Sequence, residues 1–170
     1  MFLLGIGSNL SSKYGDRFQN IEKAIYFLEY YKVKILKKSS YYETPSYPDK
    51  NFPKFINVVI KIETNLSIDE LASTIILVEK KLERKRNKKN EPRTCDIDIL
   101  DFNGRVMEFN YNNSKFIVPH KGLTYRNFVL FPLEEIVPNW IHPETKVKIS
   151  ELIGKLSEED RKSILKIKKN

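Results

Sequence analysis

The clearest pattern along the chain runs over residues 55–63. There Ile56, Val58, Ile60 and Ile62 alternate with Phe55, Asn57, Val59 and Lys61. Such alternation predicts a strand with one set on each face. Residues 2–6 read as a shorter buried strand, stopped by Gly7-Ser8-Asn9. Next, Phe18, Ile21, Ile25 and Leu28 recur at helical spacing behind Asp16 and Gln19, a capping pair. Residues 32–43 read as extended, with Val33 and Ile35 alternating with lysines, before a loop marked by Thr44-Pro45 and Pro48-Asp49. Ser67 and Glu70 form a second capping box, and Leu71, Ile75, Val78 and Leu82 continue it as a helix to about residue 83. After Pro92, residues 94–101 read as a buried strand. Turns follow at Asn103-Gly104 and Tyr111-Asn112-Asn113, with a short strand at 116–118. Residues 124–136 mix strand and helix signals; helices are expected near 149–156 and from 158 onward. No repeat or linker interrupts the chain, which reads as one domain over residues 1–170.

The first hundred residues thus run β-α-β-β-α-β. This is the ferredoxin-like α+β order: a mostly antiparallel sheet with helices on one face. The other face is left for ligands or for the additional C-terminal strand and helix elements. A fold of this kind hosts many functions, so function has to come from the site.

Composition narrows the classes. The 41% hydrophobic and 12% aromatic shares are too rich for a disordered chain. A single cysteine, Cys95, excludes a disulfide framework and a cysteine-based zinc site. The apolar opening lacks a basic n-region, and no run approaches the roughly 18 apolar residues of a membrane span. The expectation is a cytoplasmic protein, acting as a monomer away from membranes. Net charge is +8, yet lysines outnumber arginines 23 to 7, a bias that scatters charge without purpose. Location says more. Lys80, Lys81, Arg84, Lys85, Arg86, Lys88, Lys89 and Arg93 face only Glu83 and Glu91 within residues 80–93. Either this is a solvated helix end and loop, or it grips a polyanion.

The strongest local signal is Asp96-Ile97-Asp98-Ile99. On a strand, Asp96 and Asp98 stand on one face while Cys95, Ile97 and Ile99 anchor the other. Paired carboxylates suit Mg²⁺, or two metals astride a phosphate; a solvated acidic face is the alternative. Arg84, Arg86 and Arg93 nearby supply forks for phosphate oxygens. Neither a GxxxxGK[ST] loop nor a G-x-G-x-x-G run is present. Phe55-x-Asn57 either stacks on and reads a flat heterocycle or packs under C-terminal elements; Arg126-x-Phe128 again pairs arginine with an aromatic. His120, alone, would be structural or solvated. A nucleic-acid module shares the element order, but the glycine-and-aromatic RNP1 pattern is missing and Val58-Val59-Ile60-Lys61 stands in its strand. No nucleic-acid partner is expected.

Taken in order, several segments resemble the 6-hydroxymethyl-7,8-dihydropterin pyrophosphokinase family of the folate pathway. They are Ile6-Gly7-Ser8-Asn9-Leu10, Tyr42-Glu43-Thr44-Pro45, Phe55-Ile56-Asn57, Glu79, Arg84-x-Arg86, Pro92-Arg93-Thr94-Cys95-Asp96-Ile97-Asp98-Ile99-Leu100, Val118-Pro119-His120 and Arg126-Asn127-Phe128. The resemblance implies transfer of pyrophosphate from ATP to the pterin's hydroxymethyl oxygen, leaving AMP. It implies that Asp96 and Asp98 hold two Mg²⁺ ions, and that Arg84 and Arg93 stabilise charge on the moving phosphoryl groups. Glu79, Arg86, Arg93, Ile99, His120 and Arg126 would contact ATP, with Arg86 on a loop that closes over it. Phe55 and Phe128 would sandwich the pterin, and Asn57 would read its edge, helped by groups at Thr44, Pro45 and Tyr47. Many members carry a tryptophan in the basic loop and a glycine before the Pro-Arg pair; here Lys89-Asn90-Glu91 fills that place.

Overall fold

The computed structural model describes residues 1–47, 49–85 and 91–167. Strand β1 (Phe2–Ser8) leads to α1 (Arg17–Tyr30), then β2 (Lys34–Lys38), β3 (Tyr41–Thr44), β4 (Phe55–Glu63) and α2 (Ile68–Lys81). Next come β5 (Asp96–Phe102), the hairpin β6 (Met107–Tyr111) and β7 (Ser114–Val118), and a 3-10 turn at Leu123–Tyr125. The chain ends in α3 (Asn127–Ile136), α4 (Ile149–Gly154), α5 (Glu158–Lys162) and β8 (Leu165–Ile167).

Both main helices start where the capping pairs place them. The Asp16 carboxylate accepts from the amides of Phe18 and Gln19, each at 2.9 Å, and Gln19 Oε1 accepts from the Asp16 amide. Ser67 and Glu70 repeat the exchange at α2. These bonds satisfy amides that have no partner inside the helix.

The sheet runs β5-β1-β4-β3-β8, with β2 also paired to β4, and every pairing is antiparallel. With β2 and β3 counted as one position, the core order is that of the ferredoxin-like split βαβ. The extended stretch 32–43 is thus two strands. They part at Ser39, whose amide donates to the Val59 carbonyl at 2.9 Å while its hydroxyl accepts from the Val59 amide at 3.0 Å. One serine so replaces a regular ladder rung. The hairpin turns on Asn112 and Asn113, both at positive φ, which matches the twist of its strands.

Apolar residues fall into two clusters. Leu4, Ile6, Ile56, Val58, Ile60, Ile97 and Ile99 face α1 and α2. Leu3, Val59 and Leu100 face the other way, under α3 and α4 with Trp140. The C-terminal elements therefore cover only part of the second face. Beyond them lie the strand ends that carry Gly7, Asn57 and Asp96.

Candidate active site

Strand register builds the floor of the site. Gly7 on β1 lies opposite Asn57 on β4 and Asp96 on β5; Gly5 lies opposite Val59 and Asp98. Residues opposite one another share a face, so Asn57, Gly7 and Asp96 form a row across three strands. Gly7 keeps the middle of that row empty. A Cβ there would stand 2.9 Å from Asn57 Oδ1 and 3.5 Å from the Phe55 ring. The Asn57 amide is itself fixed, since Nδ2 donates to Thr44 Oγ1 at 3.1 Å. Its oxygen is thereby turned toward Gly7.

The acidic end is tied to arginines. Asp96 Oδ1 lies 2.7 Å from Arg84 Nη1, and Asp96 Oδ2 lies 2.8 Å from Arg93 Nη1. Arg84 also pairs with the buried Glu79, whose carboxylate accepts from the Ile97 amide at 2.9 Å. A helix carboxylate thus fixes both the β5 backbone and the arginine next to it. Burial works against the charge on Arg84, but Asp96, Glu79 and Asp98 outweigh it and hold the guanidinium above its ordinary pKa. Asp98 is pushed above the usual carboxylate range, first by burial and then by Asp96, against the pull of His120, Arg126 and Arg84. His120 Nε2 and Arg126 Nη1 each stand 3.9 Å from an Asp98 oxygen. The Gly122 amide donates to His120 Nδ1 at 3.1 Å, so a neutral ring carries its proton on Nε2, toward Asp98.

One residue of the site escaped the sequence reading, which took Asn9 for a strand stop. Asn9 is buried, and its Oδ1 accepts from the Arg93 amide at 2.6 Å. Its own amide donates to the Arg93 carbonyl at 3.0 Å, and Nδ2 donates to the Pro53 carbonyl and to Ser46 Oγ. Asn9 therefore holds Arg93 against the loop that leads into Phe55. Four polar contacts from one loop asparagine cannot be read from spacing alone.

Two arginine–phenylalanine contacts join the parts. The Arg93 guanidinium lies over the Phe55 ring at 5.9 Å, and that of Arg126 over Phe128 at 5.5 Å. Each arginine also faces one aspartate of the pair. The acidic strand is thus bracketed by aromatic rings, with cations between them.

A model of the family 7,8-dihydro-6-hydroxymethylpterin-pyrophosphokinase (HPPK) matches residues 3–138. The chain belongs to this family.

Among curated relatives, the 2-amino-4-hydroxy-6-hydroxymethyldihydropteridine pyrophosphokinase of Aquifex aeolicus is 42% identical over 141 residues, covering 82% of each chain. The Bacillus subtilis enzyme of the same name is 36% identical over 134 residues, 78% of this chain and 75% of that one. The folic acid synthesis protein fol1 of Pneumocystis carinii is 33% identical over 162 residues; the chain spans only 21% of it. Wild-type Plasmodium falciparum HPPK-DHPS matches in structure with a TM-score of 0.71 at 17% identity, over 91% of this chain and 40% of that one. This last likeness shows the ferredoxin-like fold.

The residues expected from the HPPK resemblance are not all placed alike. Thr44 and Asn57 form one hydrogen-bonded pair, Glu79, Arg84, Asp96 and Arg93 one ion-paired set, and Asp98, His120 and Arg126 another, the three lying side by side on neighbouring strands and loops. Phe55 and Phe128 are half-buried at its margins, and Pro45 is half-buried beside Thr44. The Tyr47 side chain is 81% exposed and offers the site no packed surface. Ile99 is buried on the helix side of the sheet with Cys95 and Ile97, so only its backbone can face a nucleotide. Strand alternation turns this side chain away from Asp98, on the core-anchoring face expected from the sequence. Arg86 lies outside the described residues.

The donor set fits Mg²⁺. Among the described residues no group of three or more His, Cys, Asp or Glu side chains could hold a metal. Two carboxylates with arginines on either side suit a cation that keeps several waters and takes its remaining oxygens from a phosphate.

Proposed function

We propose that this chain transfers the pyrophosphoryl group of ATP to the hydroxymethyl oxygen of 6-hydroxymethyl-7,8-dihydropterin, releasing AMP, within folate biosynthesis. Membership of the HPPK family supports ATP as co-substrate. The observation that carries the reading is the row Asn57–Gly7–Asp96. It sets a fixed amide and a half-buried aromatic at one end of an open floor and the acidic pair at the other.

In this mechanism Phe55 and Phe128 hold the flat ring, and the fixed Asn57 amide reads its polar edge. That aims the hydroxymethyl oxygen along the row toward Asp96 and Asp98. These carboxylates would hold Mg²⁺, two ions in our reading. When bound, the metal neutralises charge on the polyphosphate. Arg84 and Arg93, already ion-paired beside Asp96, turn to the phosphoryl oxygens as charge develops there. His120 and Arg126 hold the far phosphates near Asp98. Phosphoryl-type transfer needs positioning and charge neutralisation more than covalent chemistry, and this chain supplies those two things. The reading extends to a monomer acting in the cytoplasm on small molecules alone. Among the described residues, no helix is long and apolar enough to cross a membrane.

Incubating the protein with Mg²⁺, ATP and the dihydropterin alcohol tests the reading through the nucleotide released. AMP is expected. ADP would mean an ordinary kinase, and no turnover would remove the assignment.

A further inference from the structure

Asn127 carries no chemistry in the mechanism above, yet it is buried at the start of α3, between Arg126 and Phe128. Its Nδ2 donates to the Asp160 carbonyl at 2.6 Å and to Ser163 Oγ at 2.9 Å. Ser163 Oγ donates to the same carbonyl at 2.9 Å. These acceptors belong to α5 and the turn after it. Strand β8 follows at once and pairs with β3, Lys166 opposite Tyr42 and Leu165 opposite Glu43. β3 ends in Thr44, the partner of Asn57.

The far end of α3 is tied to the sheet at β3, and the same tail adds one ion pair there. Glu135 accepts from the Ser40 amide and hydroxyl, both at 2.9 Å, and from the Tyr42 hydroxyl at 2.7 Å. Lys166 Nζ stands 3.3 Å from the same carboxylate. One short segment therefore touches the helix that bears Phe128 and the strand that orders Asn57. It lies beyond residue 138, where the family match ends.

We propose that residues 157–167 form a clasp that fixes the distance between Phe128 and the Phe55–Asn57 strand, with Asn127 as the positioning residue that fastens it. The clasp rests on the pterin reading of the slot and gives it a specific consequence: it governs affinity for the flat ring and leaves ATP affinity alone. A three-residue strand is marginal by itself. The exposed Lys50–Glu159 pair adds little. The Asn127 amide is a buried fastening that bonds Asp160 and Ser163 at once, so its removal takes two hydrogen bonds from the clasp, although Ser163 Oγ still reaches the Asp160 carbonyl.

The test titrates the dihydropterin alcohol into protein saturated with Mg²⁺ and a non-hydrolysable ATP analogue, and separately measures analogue binding. In Asn127→Ala the pterin Kd should rise about tenfold while the analogue Kd stays within about twofold. Hydrogen exchange over 157–167 should quicken. Ser163→Ala should move the pterin Kd less, in the same direction, and the double variant should bind no worse than Asn127→Ala alone. A folded Asn127→Ala with wild-type pterin affinity overturns the clasp, as does an equal loss for both ligands. If Asn127→Ala fails to fold, an unchanged pterin Kd in Ser163→Ala overturns it alone. A wild type that takes the analogue but no pterin overturns the pterin reading instead.

Discussion

Asp96 and Asp98 share a strand face but not an environment. Asp96 is braced by Arg84 and Arg93 within 2.8 Å, whereas the ion-pair partners of Asp98 among the described residues, His120 and Arg126, stand 3.9 Å away. Removing Asp98 therefore leaves no tightly bound cation stranded, and Asp98→Ala should keep its fold. Its turnover should fall by about a hundredfold or more, as for loss of a charged group that acts on the transition state. Asp96→Ala should lose as much activity and some stability too, because the nearly buried Arg84 gives up one counter-charge. Steady-state kinetics with denaturant melts of both variants check this; near-normal turnover in either removes that carboxylate from the mechanism. For the ring slot, Phe55→Ala should weaken pterin binding by about 1–3 kcal/mol, on the scale of base stacking. ATP binding should barely change. Calorimetry that places the loss on the ATP side would mean the two pockets are exchanged.

Helix α3 shows how an element can be both scaffold and site wall. Its first turn presents Phe128, and its last turn places Glu135 against Ser40, Tyr42 and Lys166. Burial would raise the Glu135 carboxyl, but hydrogen bonds from Tyr42, Ser40 and Lys166 outweigh it and hold it below its ordinary value. A carboxyl depressed in the folded state contributes stability above the unfolded pKa and loses it as pH falls through the folded one. Glu135→Gln should thus cost about 1–3 kcal/mol at neutral pH. The gap to wild type should narrow as pH drops below the glutamate range. Urea midpoints at neutral and acid pH measure it, and a gap that widens in acid would refute the assignment.

Residues 124–136 mix two signals because a 3-10 turn precedes the helix and Pro132 sits inside it. β4 was legible to the residue because nine alternating positions average out accidents. β8, with three residues, left no period to detect. β6 was missed although Met107, Phe109 and Tyr111 alternate with Glu108 and Asn110, because five residues between two turns give only a short period. The acidic pair was legible because alternation alone puts Asp96 and Asp98 on one face. Asn9 and Asn127 were not, since their partners lie far along the chain.

At the scale of the whole molecule, charge and site coincide. The net charge is +8, and residues 80–93 carry most of it immediately before the acidic strand. The expectation that this run closes over ATP falls mainly on residues 86–90, outside the described structure. Its described flanks, Arg84 and Arg93, already converge on Asp96. Binding of an ATP analogue should accordingly weaken about tenfold between low salt and about 0.5 M, where screening shortens to a few ångströms. Pterin affinity should change little. Titrations at both salts decide it, and equal sensitivity of the two ligands would count against an electrostatic grip on the nucleotide.

If one floor joins a ring slot to a metal-and-phosphate end, two phosphoryl groups should move together. Isotopic labelling of ATP at the β or at the γ phosphorus measures this directly. Both labels should appear on the pterin, with the α phosphorus left on AMP. Transfer of the γ label alone, or of neither, would rule out pyrophosphoryl transfer on this floor.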